Sequence, residues 1–359
     1  MGNKLIICCF LTAFATVSQH SGAQNINPDI SVIGDVRAFV TDDASDPKEG
    51  NLQLDLESVE LALQGYLNPF VRGDVFAAYT ENEGFVVEEA FATILRGLPA
   101  GLQVKAGRYR VDFGKLNLLH PHAYAFLETP LVHQQYLGAE GLMDVGVNLN
   151  MQIPLGNLVL TPSVNVLKGG FVGEWIQDTP AGPNGELETD LGWSERLSLF
   201  VPTGDYAGFE AGLSALQDTF DAATGRQVAL LGADFKYRWA PNKYRSLTVQ
   251  GEWIRSRRDV LGQGSDISRV TADGYYAFAD YRFAQRWDIG AIGERAEGAD
   301  DAGNTTTRVG LFGGFQVMEE TTMLRVLLRQ TDGDDYQDPV NEAILQLVFS
   351  LGPHKAHWF

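Results

Sequence analysis

The chain has 359 residues, with 27 basic and 46 acidic side chains and a formal net charge of −19. So acidic a balance disfavours a nucleic acid as partner. The 39 glycines and 38 aromatic residues, 20 Phe, 12 Tyr and 6 Trp, are typical of many short strands joined by tight bends. Both cysteines, Cys8 and Cys9, lie near the amino terminus, which excludes disulfides and thiolate metal sites from the rest of the chain.

The first 23 residues have the pattern of a secretory signal peptide. Lys4 precedes an apolar stretch from Leu5 to Val17, and three small residues follow at positions 21–23. The sequence therefore predicts cleavage after Ala23 and a single domain over residues 24–359. No stretch reaches the roughly 18 apolar residues that a spanning helix needs, which excludes a helical membrane protein.

From Asn25 onward, apolar and polar residues alternate in runs of about ten residues. In Asp144–Ile153, one face carries Val, Val, Leu, Met and Ile, and the other carries Asp, Gly, Asn, Asn and Gln. This is the pattern of a strand with one apolar and one polar face. The segment Leu52–Leu67 slips by one residue at Ser58, which predicts a β-bulge. Sixteen strands are predicted, over residues 30–40, 52–66, 70–80, 85–96, 102–111, 142–153, 158–167, 193–201, 206–216, 227–239, 245–256, 269–283, 287–294, 306–317, 322–330 and 341–351.

The connections between these strands alternate in length. Seven tight turns, such as 68–69 and 284–286, are interleaved with eight connections that are mostly long, including 112–141, 168–192, 217–226 and 257–268. Bacterial outer-membrane barrels have short periplasmic turns and longer external loops, and about ten tilted residues per strand match the membrane thickness. The predicted fold is an all-β, closed antiparallel transmembrane β-barrel of about sixteen strands in the outer membrane.

A closed barrel in lipid must turn its apolar face outward and its polar face inward. Because sixteen strands leave an aqueous channel, we expect a porin-like channel for small polar solutes or ions, and not an enzyme. Charged residues of both signs fall on the inward parity. The candidate pore-wall residues are Arg72, Asp74, Glu88, Lys105, Arg196, Lys236, Arg238, Arg308 and Arg325.

The third long connection, residues 112–141, is expected to fold into the barrel. Loops of this length without a turn signal are usually functional, and the third external loop of sixteen-stranded porins narrows the pore. The candidate residues for the constriction are Lys115, His120, His122, Glu128, His133 and Glu140.

Three histidines in this loop suggest a metal site. His120 and His122, two residues apart, could present both rings to one side, and with His133 or Glu128 they could bind Zn²⁺. The alternative is that these side chains line a polar constriction without binding metal. His354 and His357 are expected on the opposite side of the membrane.

Several motifs carry a resemblance to a known family. They are VELALQ at 59–64, VEEA at 87–90, KAGRYRVDFGKLN at 105–117, LHPH at 119–122, EGL at 140–142 and SLGPHKAH at 350–357. The sequence resembles Gram-negative proteins called zinc-regulated TonB-dependent outer membrane receptors, which are similar to phosphate-selective porins. The resemblance implies a porin-like barrel and transport of a divalent metal or phosphate. The predicted first strand begins near Ile30, which leaves no room for a receptor plug.

Alternative functions are a metal-related receptor, a barrel hydrolase with its site in the third loop, and a non-conducting surface scaffold. The expected partners are the lipid bilayer, lipopolysaccharide, the outer-membrane assembly machinery, which would recognise the terminal Phe359, and small polar solutes. A homotrimer is a further expectation.

Overall fold

The computed structural model describes residues 28–81, 84–170, 190–262, 266–318 and 321–352. The predicted signal peptide and the histidines of the tail lie outside these residues. The strands are β1 (Asp29–Thr41), β2 (Gln53–Asn68), β3 (Val71–Thr80), β4 (Gly84–Ile94), β5 (Gln103–Arg110), β6 (Met143–Asn150), β7 (Ile153–Leu155), β8 (Leu158–Leu167), β9 (Gly192–Gly204), β10 (Ala207–Asp221), β11 (Arg226–Asn242), β12 (Arg245–Leu261), β13 (Ile267–Phe283), β14 (Trp287–Glu297), β15 (Thr305–Met318), β16 (Thr322–Gly333) and β17 (Val340–Leu351).

In the part of the chain that the structure describes, helical structure is confined to short segments. Three 3-10 turns cover Pro99–Gly101, Leu116–Leu118 and Pro121–Ala123, and the α-helix α1 covers Leu131–Tyr136. Among the described residues, no helix has the length and apolar character needed to cross a membrane.

The sheet closes on itself. Apart from β6 and β7, each strand pairs antiparallel with its neighbours in sequence, and β1 pairs with both β2 and β17. The elements β6 and β7 both pair with β8 and form one barrel strand that is interrupted at Met151 and Gln152. The closed antiparallel barrel of sixteen strands confirms the predicted fold class.

Two β-bulges shape the wall near the chain start. Asp35 pairs with Ser58 and Val36 with Leu56, so Glu57 is the extra residue, which confirms the slip predicted at Ser58. The second bulge was not predicted. Phe76 pairs with Glu89 and Ala77 with Val87, so Glu88 is extra, and both Glu88 and Glu89 contact residues inside the barrel.

Two external loops are shorter than predicted. The strand β10 continues to Asp221 and β11 begins at Arg226, while β12 continues to Leu261 and β13 begins at Ile267. The predicted loops 217–226 and 257–268 are therefore partly strand. The strands β11, β12 and β13 each have 17 residues, more than the 9–11 that a membrane needs, so their ends extend beyond the bilayer.

The outward face carries the features of a lipid-facing surface. Exposed aliphatic residues alternate along the strands, as in Val145, Val147 and Leu149 of β6. Exposed aromatic residues lie near both ends of the barrel wall, as expected of interfacial girdles. Those near the periplasmic turns are Tyr66, Phe70, Tyr206, Tyr244, Tyr281, Phe283 and Trp287, and those nearer the external ends are Tyr79, Phe85 and Trp193.

The interior departs from the predicted uniformly polar wall. Inward residues of β10 to β17 form an apolar patch against which the third loop packs, including Phe220, Leu230, Ile254, Tyr276, Phe278, Ile292, Phe312, Leu327 and Ile344. Strict alternation predicts which side chains face inward, but it does not require them to be polar. A loop that packs inside the barrel supplies an apolar partner for them.

Candidate functional site

The segment between β5 and β6, residues 111–142, lies inside the barrel and is here called L3. Its two ends are joined, because the Val111 amide donates to the Leu142 carbonyl over 3.0 Å. The side chain of Asn117 holds these two ends together. Its fully buried side-chain amide donates to the carbonyl oxygens of Val111 (2.8 Å) and Leu142 (3.0 Å) and accepts from the Leu142 amide (2.7 Å).

One side of L3 is attached to β10 and β12. The Gly114 amide donates to Ser214 Oγ at 3.0 Å, and the Lys115 ammonium lies 2.6 Å from Glu210 Oε2. Glu252 of β12 accepts from the amides of Lys115 (2.7 Å) and Leu116 (2.6 Å). The predicted constriction residue Lys115 therefore anchors the start of L3.

The tip of L3 is attached to β1 and β16. Glu128 is 2.5 Å from Arg37 Nη1 and 3.3 Å from Arg329 Nη1. Partial burial would raise the pKa of Glu128, but Arg329 and Arg37 outweigh it and hold that pKa below its ordinary value. The Glu128 carboxylate is thus charged at neutral pH and binds both arginines.

Arg325 of β16 holds the middle of L3. Its Nη1 donates to the carbonyl oxygens of His122 (2.9 Å) and Tyr124 (3.0 Å). Arg325 is 8% exposed, and a buried charge is costly unless it is paired. These carbonyl dipoles and nearby acidic groups compensate the charge of Arg325.

An aromatic cluster seats L3 on the apolar patch. The ring centroid of Phe126 lies 4.9 Å from that of Phe278, 6.1 Å from Tyr276 and 6.3 Å from Phe312. Phe126 is 2% exposed. L3 is therefore fixed by apolar packing as well as by charge.

His120 lies among three carboxylates on the opposite wall. Its Nδ1 is 2.9 Å from Glu60 Oε2 and 3.3 Å from Glu88 Oε2, and its Nε2 is 2.9 Å from Glu89 Oε1. Burial would lower the pKa of His120, but Glu60 and the neighbouring carboxylates outweigh it and hold that pKa well above its ordinary value. The cluster strongly favours a positive charge at this position.

Two further side chains border this cluster. His122 Nδ1 lies 3.5 Å from Glu60 Oε2, and its ring stacks on His120 with centroids 5.7 Å apart. The Arg110 guanidinium lies 3.9 Å from Glu88 Oε2. Glu60, Glu88, His120 and their neighbours together place polar atoms from β2, β4 and L3 in one buried volume.

The other predicted constriction residues lie elsewhere in L3. His133 is fully buried on α1 with its Nε2 2.8 Å from Glu252 Oε2. Glu140 is exposed, and its backbone carbonyl accepts from Arg110 Nη1 over 2.6 Å. The structure brings His120 and His122 together, but it places His133 and Glu128 at other walls, so the zinc set proposed from the sequence is not assembled.

A cavity of about 710 Å³ lies on the periplasmic side of L3. L3 forms one wall through residues that include His122 and Phe126, and inward residues near the periplasmic ends of several strands form the rest. Among the described charged residues that line it, five are basic and two are acidic. They are Lys236, Arg238, Lys243, Arg282, Arg325, Asp280 and Asp288.

The remaining predicted wall residues contact other groups inside the barrel. Arg72 donates to Asp74 at 2.9 Å, Arg196 donates to Asp234, and Arg308 donates to Thr331. Lys105 lies over the rings of Phe91 and Tyr109, at 5.0 and 5.1 Å from their centroids. Most of the predicted inward charges are therefore held in specific contacts.

Sequence reasoning missed Glu60 and Glu89. Glu60 follows the slip at Ser58 with the inward parity, so the same alternation could have identified it. Glu89 has the outward parity by simple counting from Glu88, and only the bulge at Glu88 turns it inward. The sequence offered one signal for this bulge. Glu88 and Glu89 are adjacent acidic residues in one strand, and strict alternation would turn one of them toward lipid.

Comparison with known proteins gives one relative in sequence. The chain is 31% identical over 346 residues to an uncharacterized protein of Aquifex aeolicus (strain VF5), covering 85% of this chain and 70% of that protein. The chain belongs to the same family as this protein. No family model matches the sequence.

Comparison of structures gives porins and other outer-membrane proteins. The anion-selective porin from Comamonas acidovorans matches with a TM-score of 0.61 and 9% identity, over 91% of this chain and all of that one. The outer membrane channel DcaP of Acinetobacter baumannii matches with a TM-score of 0.61 and 11% identity, over 93% of this chain and 99% of that one. At such identities the likeness shows the shared porin-like barrel fold.

The expectation that the chain is not an enzyme has to be withdrawn. A third matching structure is described only as an outer membrane protein and not as a porin. OmpT, an outer membrane protein of Vibrio cholerae, matches in its trimer form with a TM-score of 0.56 and 10% identity, over 90% of this chain and 99% of that one. Since a fold does not fix a function, the barrel and its matches give no ground for excluding enzymatic activity.

Proposed function

We propose that this protein is a porin-like channel of the bacterial outer membrane that passes small polar or charged solutes, with L3 setting the width of the path. The observation that carries the proposal is the position of L3. L3, a segment of 32 residues between β5 and β6, lies inside a sixteen-stranded barrel and is attached to opposite walls, so it controls the cross-section of the lumen.

The attachments of L3 support a permanent constriction. Glu252 holds its start, Arg325 its middle, and Arg37 with Arg329 its tip. Because these contacts reach β1, β12 and β16, a solute must pass between L3 and the wall. The packing of Phe126 against the rings of Tyr276, Phe278 and Phe312 keeps L3 from moving as a free loop.

Charge around L3 indicates which solutes are favoured. The periplasmic cavity has three more basic than acidic lining residues, which favours small anions such as inorganic phosphate there. The cluster at His120 is acidic and favours cations. Opposite preferences along one path are expected to give weak overall selectivity, with phosphate and divalent metal ions as the candidate solutes.

The comparisons support the porin part of the family resemblance, and the structures named above do not include a receptor. The lipid bilayer follows from the apolar outer face. Lipopolysaccharide, the assembly machinery and a homotrimer are kept as proposals. Cross-linking in native membranes followed by denaturing electrophoresis tests the trimer, which a monomer band alone would contradict.

Single-channel recording in planar bilayers tests the channel. Wild type is expected to give discrete conductance steps, and Arg325→Ala, which frees the carbonyls of His122 and Tyr124, is expected to give larger ones. A variant in which residues 113–140 are replaced by a short linker is the positive control, because Val111 and Leu142 are already hydrogen-bonded. Steps from this control but none from wild type, or none from either, would contradict the proposal.

A further inference from the structure

We propose that Glu60, Glu88 and His120 bind one divalent cation of the zinc class and that this cation fastens L3 to the barrel wall. The inference goes beyond the channel function, since it concerns binding to the folded barrel whether or not a solute passes.

The distances fit a small cation. The Nδ1 of His120 is 2.9 Å from Glu60 Oε2 and 3.3 Å from Glu88 Oε2, and the three ligand atoms all lie within 4.8 Å of one another. In a tetrahedral zinc site with bonds near 2.0–2.1 Å, ligand atoms are about 3.4 Å apart. Both distances from His120 Nδ1 lie within about 0.5 Å of this value.

Two buried carboxylate oxygens converge on one nitrogen of the site. His120 Nδ1 lies 2.9 Å from Glu60 Oε2 and 3.3 Å from Glu88 Oε2, and among the described residues Glu88 Oε2 has no well-aligned hydrogen bond. His120 is 8% exposed. A buried carboxylate oxygen without an aligned donor is costly, and a cation between the three ligand atoms would satisfy all of them.

Glu89 orients the imidazole for this role. Its Oε1 lies 2.9 Å from His120 Nε2, and its Oε2 accepts the Arg110 amide at 2.9 Å. A metal-binding histidine usually donates its other ring N–H to a carboxylate, which fixes the ring and raises its basicity. With the Nε2 proton bound to Glu89, the Nδ1 lone pair points toward Glu60 and Glu88.

The charge balance matches a divalent ion. A metal ion that binds His120 displaces its Nδ1 proton, so that three carboxylates, Glu60, Glu88 and Glu89, then surround a neutral imidazole. The Arg110 guanidinium lies 3.9–4.0 Å from two of these carboxylates. The sum of three negative charges and one positive charge is −2. One divalent cation neutralises the cluster, which a buried environment favours.

His122 is placed to contribute a fourth ligand. Its Nδ1 lies 3.5 Å from the same Glu60 oxygen that faces His120. Two imidazoles and two carboxylates are a donor set that suits Zn²⁺ better than Mg²⁺ or Ca²⁺, which prefer oxygen alone. This set replaces the one expected from sequence, because His133 binds Glu252 instead.

Isothermal titration of ZnCl₂ into the full chain, extracted in detergent without an affinity tag, tests the proposal. The background carries His354→Ala and His357→Ala, so that tail histidines add no zinc ligands. We expect one zinc per chain, and at least about a tenfold loss of affinity for Glu60→Gln, His120→Ala and the orienting variant Glu89→Gln. Glu49→Gln, an exposed carboxylate in the loop between β1 and β2, is the matched control and should keep the wild-type affinity.

A second measurement separates binding at this site from a folding defect. Co²⁺ loaded into the same protein should give the visible absorption bands of a tetrahedral site with nitrogen ligands, and these should be absent in His120→Ala while its heat-modifiable mobility stays that of a folded barrel. The proposal would be overturned if the background protein bound no zinc. It would also be overturned if Glu60→Gln and His120→Ala bound zinc with the same affinity as the background protein. Either result would leave the conductance measurements unaffected, so the two proposals fail separately.

Discussion

Glu252 of β12 binds His133 of α1 through one carboxylate oxygen, at 2.8 Å, and uses the other to accept two amides at the start of L3. Glu252 is 4% exposed and His133 is fully buried. One carboxylate therefore fixes two parts of L3 that are far apart in the loop.

Replacing Glu252 by Ala should destabilise the barrel by about 3–5 kcal/mol, because it leaves a buried imidazole and two amides without an acceptor. Glu252→Gln should lose less stability than Glu252→Ala, since the glutamine carbonyl can still accept hydrogen bonds from the two amides. Thermal unfolding in detergent measures both. Glu195→Ala, at an exposed position of β9, is the control, and an equal loss there would refute the role of Glu252.

Glu128 should make the attachment of L3 depend on pH. Because Arg329 and Arg37 lower its pKa in the folded state, its contribution to stability is present above the unfolded pKa of about 4.3 and is lost as pH falls through the lower folded value. The difference in unfolding temperature between wild type and Glu128→Gln should be largest at neutral pH and vanish in acid. The exposed Glu49→Gln should show no such trend, and a difference that grows in acid would contradict the assignment.

Phe126→Ala should cost about 3–5 kcal/mol, as expected when a large side chain is removed from a packed core. The matched control is Leu311→Ala on the outer face of β15, where the side chain is 64% exposed and should matter much less. Denaturant unfolding of both variants checks this. Phe126→Ala should also increase current fluctuations in planar bilayers, and a quiet channel of wild-type stability would show that L3 is not held by this cluster.

Gly107→Ala should prevent β4 and β5 from pairing. Gly107 has φ +136°, and an added Cβ would lie 2.2 Å from the Ala90 carbonyl oxygen and 2.7 Å from Phe91 Cα, so backbone must move. Folding yield from heat-modifiable mobility should drop sharply. Gly293→Ala, where an added Cβ meets nothing within 4 Å, should fold as wild type, and similar yields for the two variants would be evidence against this close approach.

Much of the fold could be read from local pattern. Alternation along a strand is set by neighbouring residues, so outward residues such as Val145, Val147 and Leu149 and the bulge near Ser58 were evident in sequence. The length of the L3 segment also indicated a loop with a special position. The loops at 217–226 and 257–268 were overestimated, because strand ends above the membrane need no apolar alternation and so lack the signal.

The candidate site could be predicted only in part. His120 and His122 were recognised because they are close in sequence, but their carboxylate partners belong to β2 and β4. His133, which has the same chemistry, meets Glu252 on another wall. Parity assigns a side chain to the lumen without saying which side chains meet across it.

By itself, the sequence determined the closed barrel, its outer face and the unusual third loop, since these depend on period-two patterning and chain length. Only the tertiary structure decided that Glu88 is an extra residue, so that Glu88 and Glu89 both reach His120, and that an apolar interior receives Phe126. These contacts join residues far apart in the chain, and their geometry exists only after the sheet closes and L3 folds inside it.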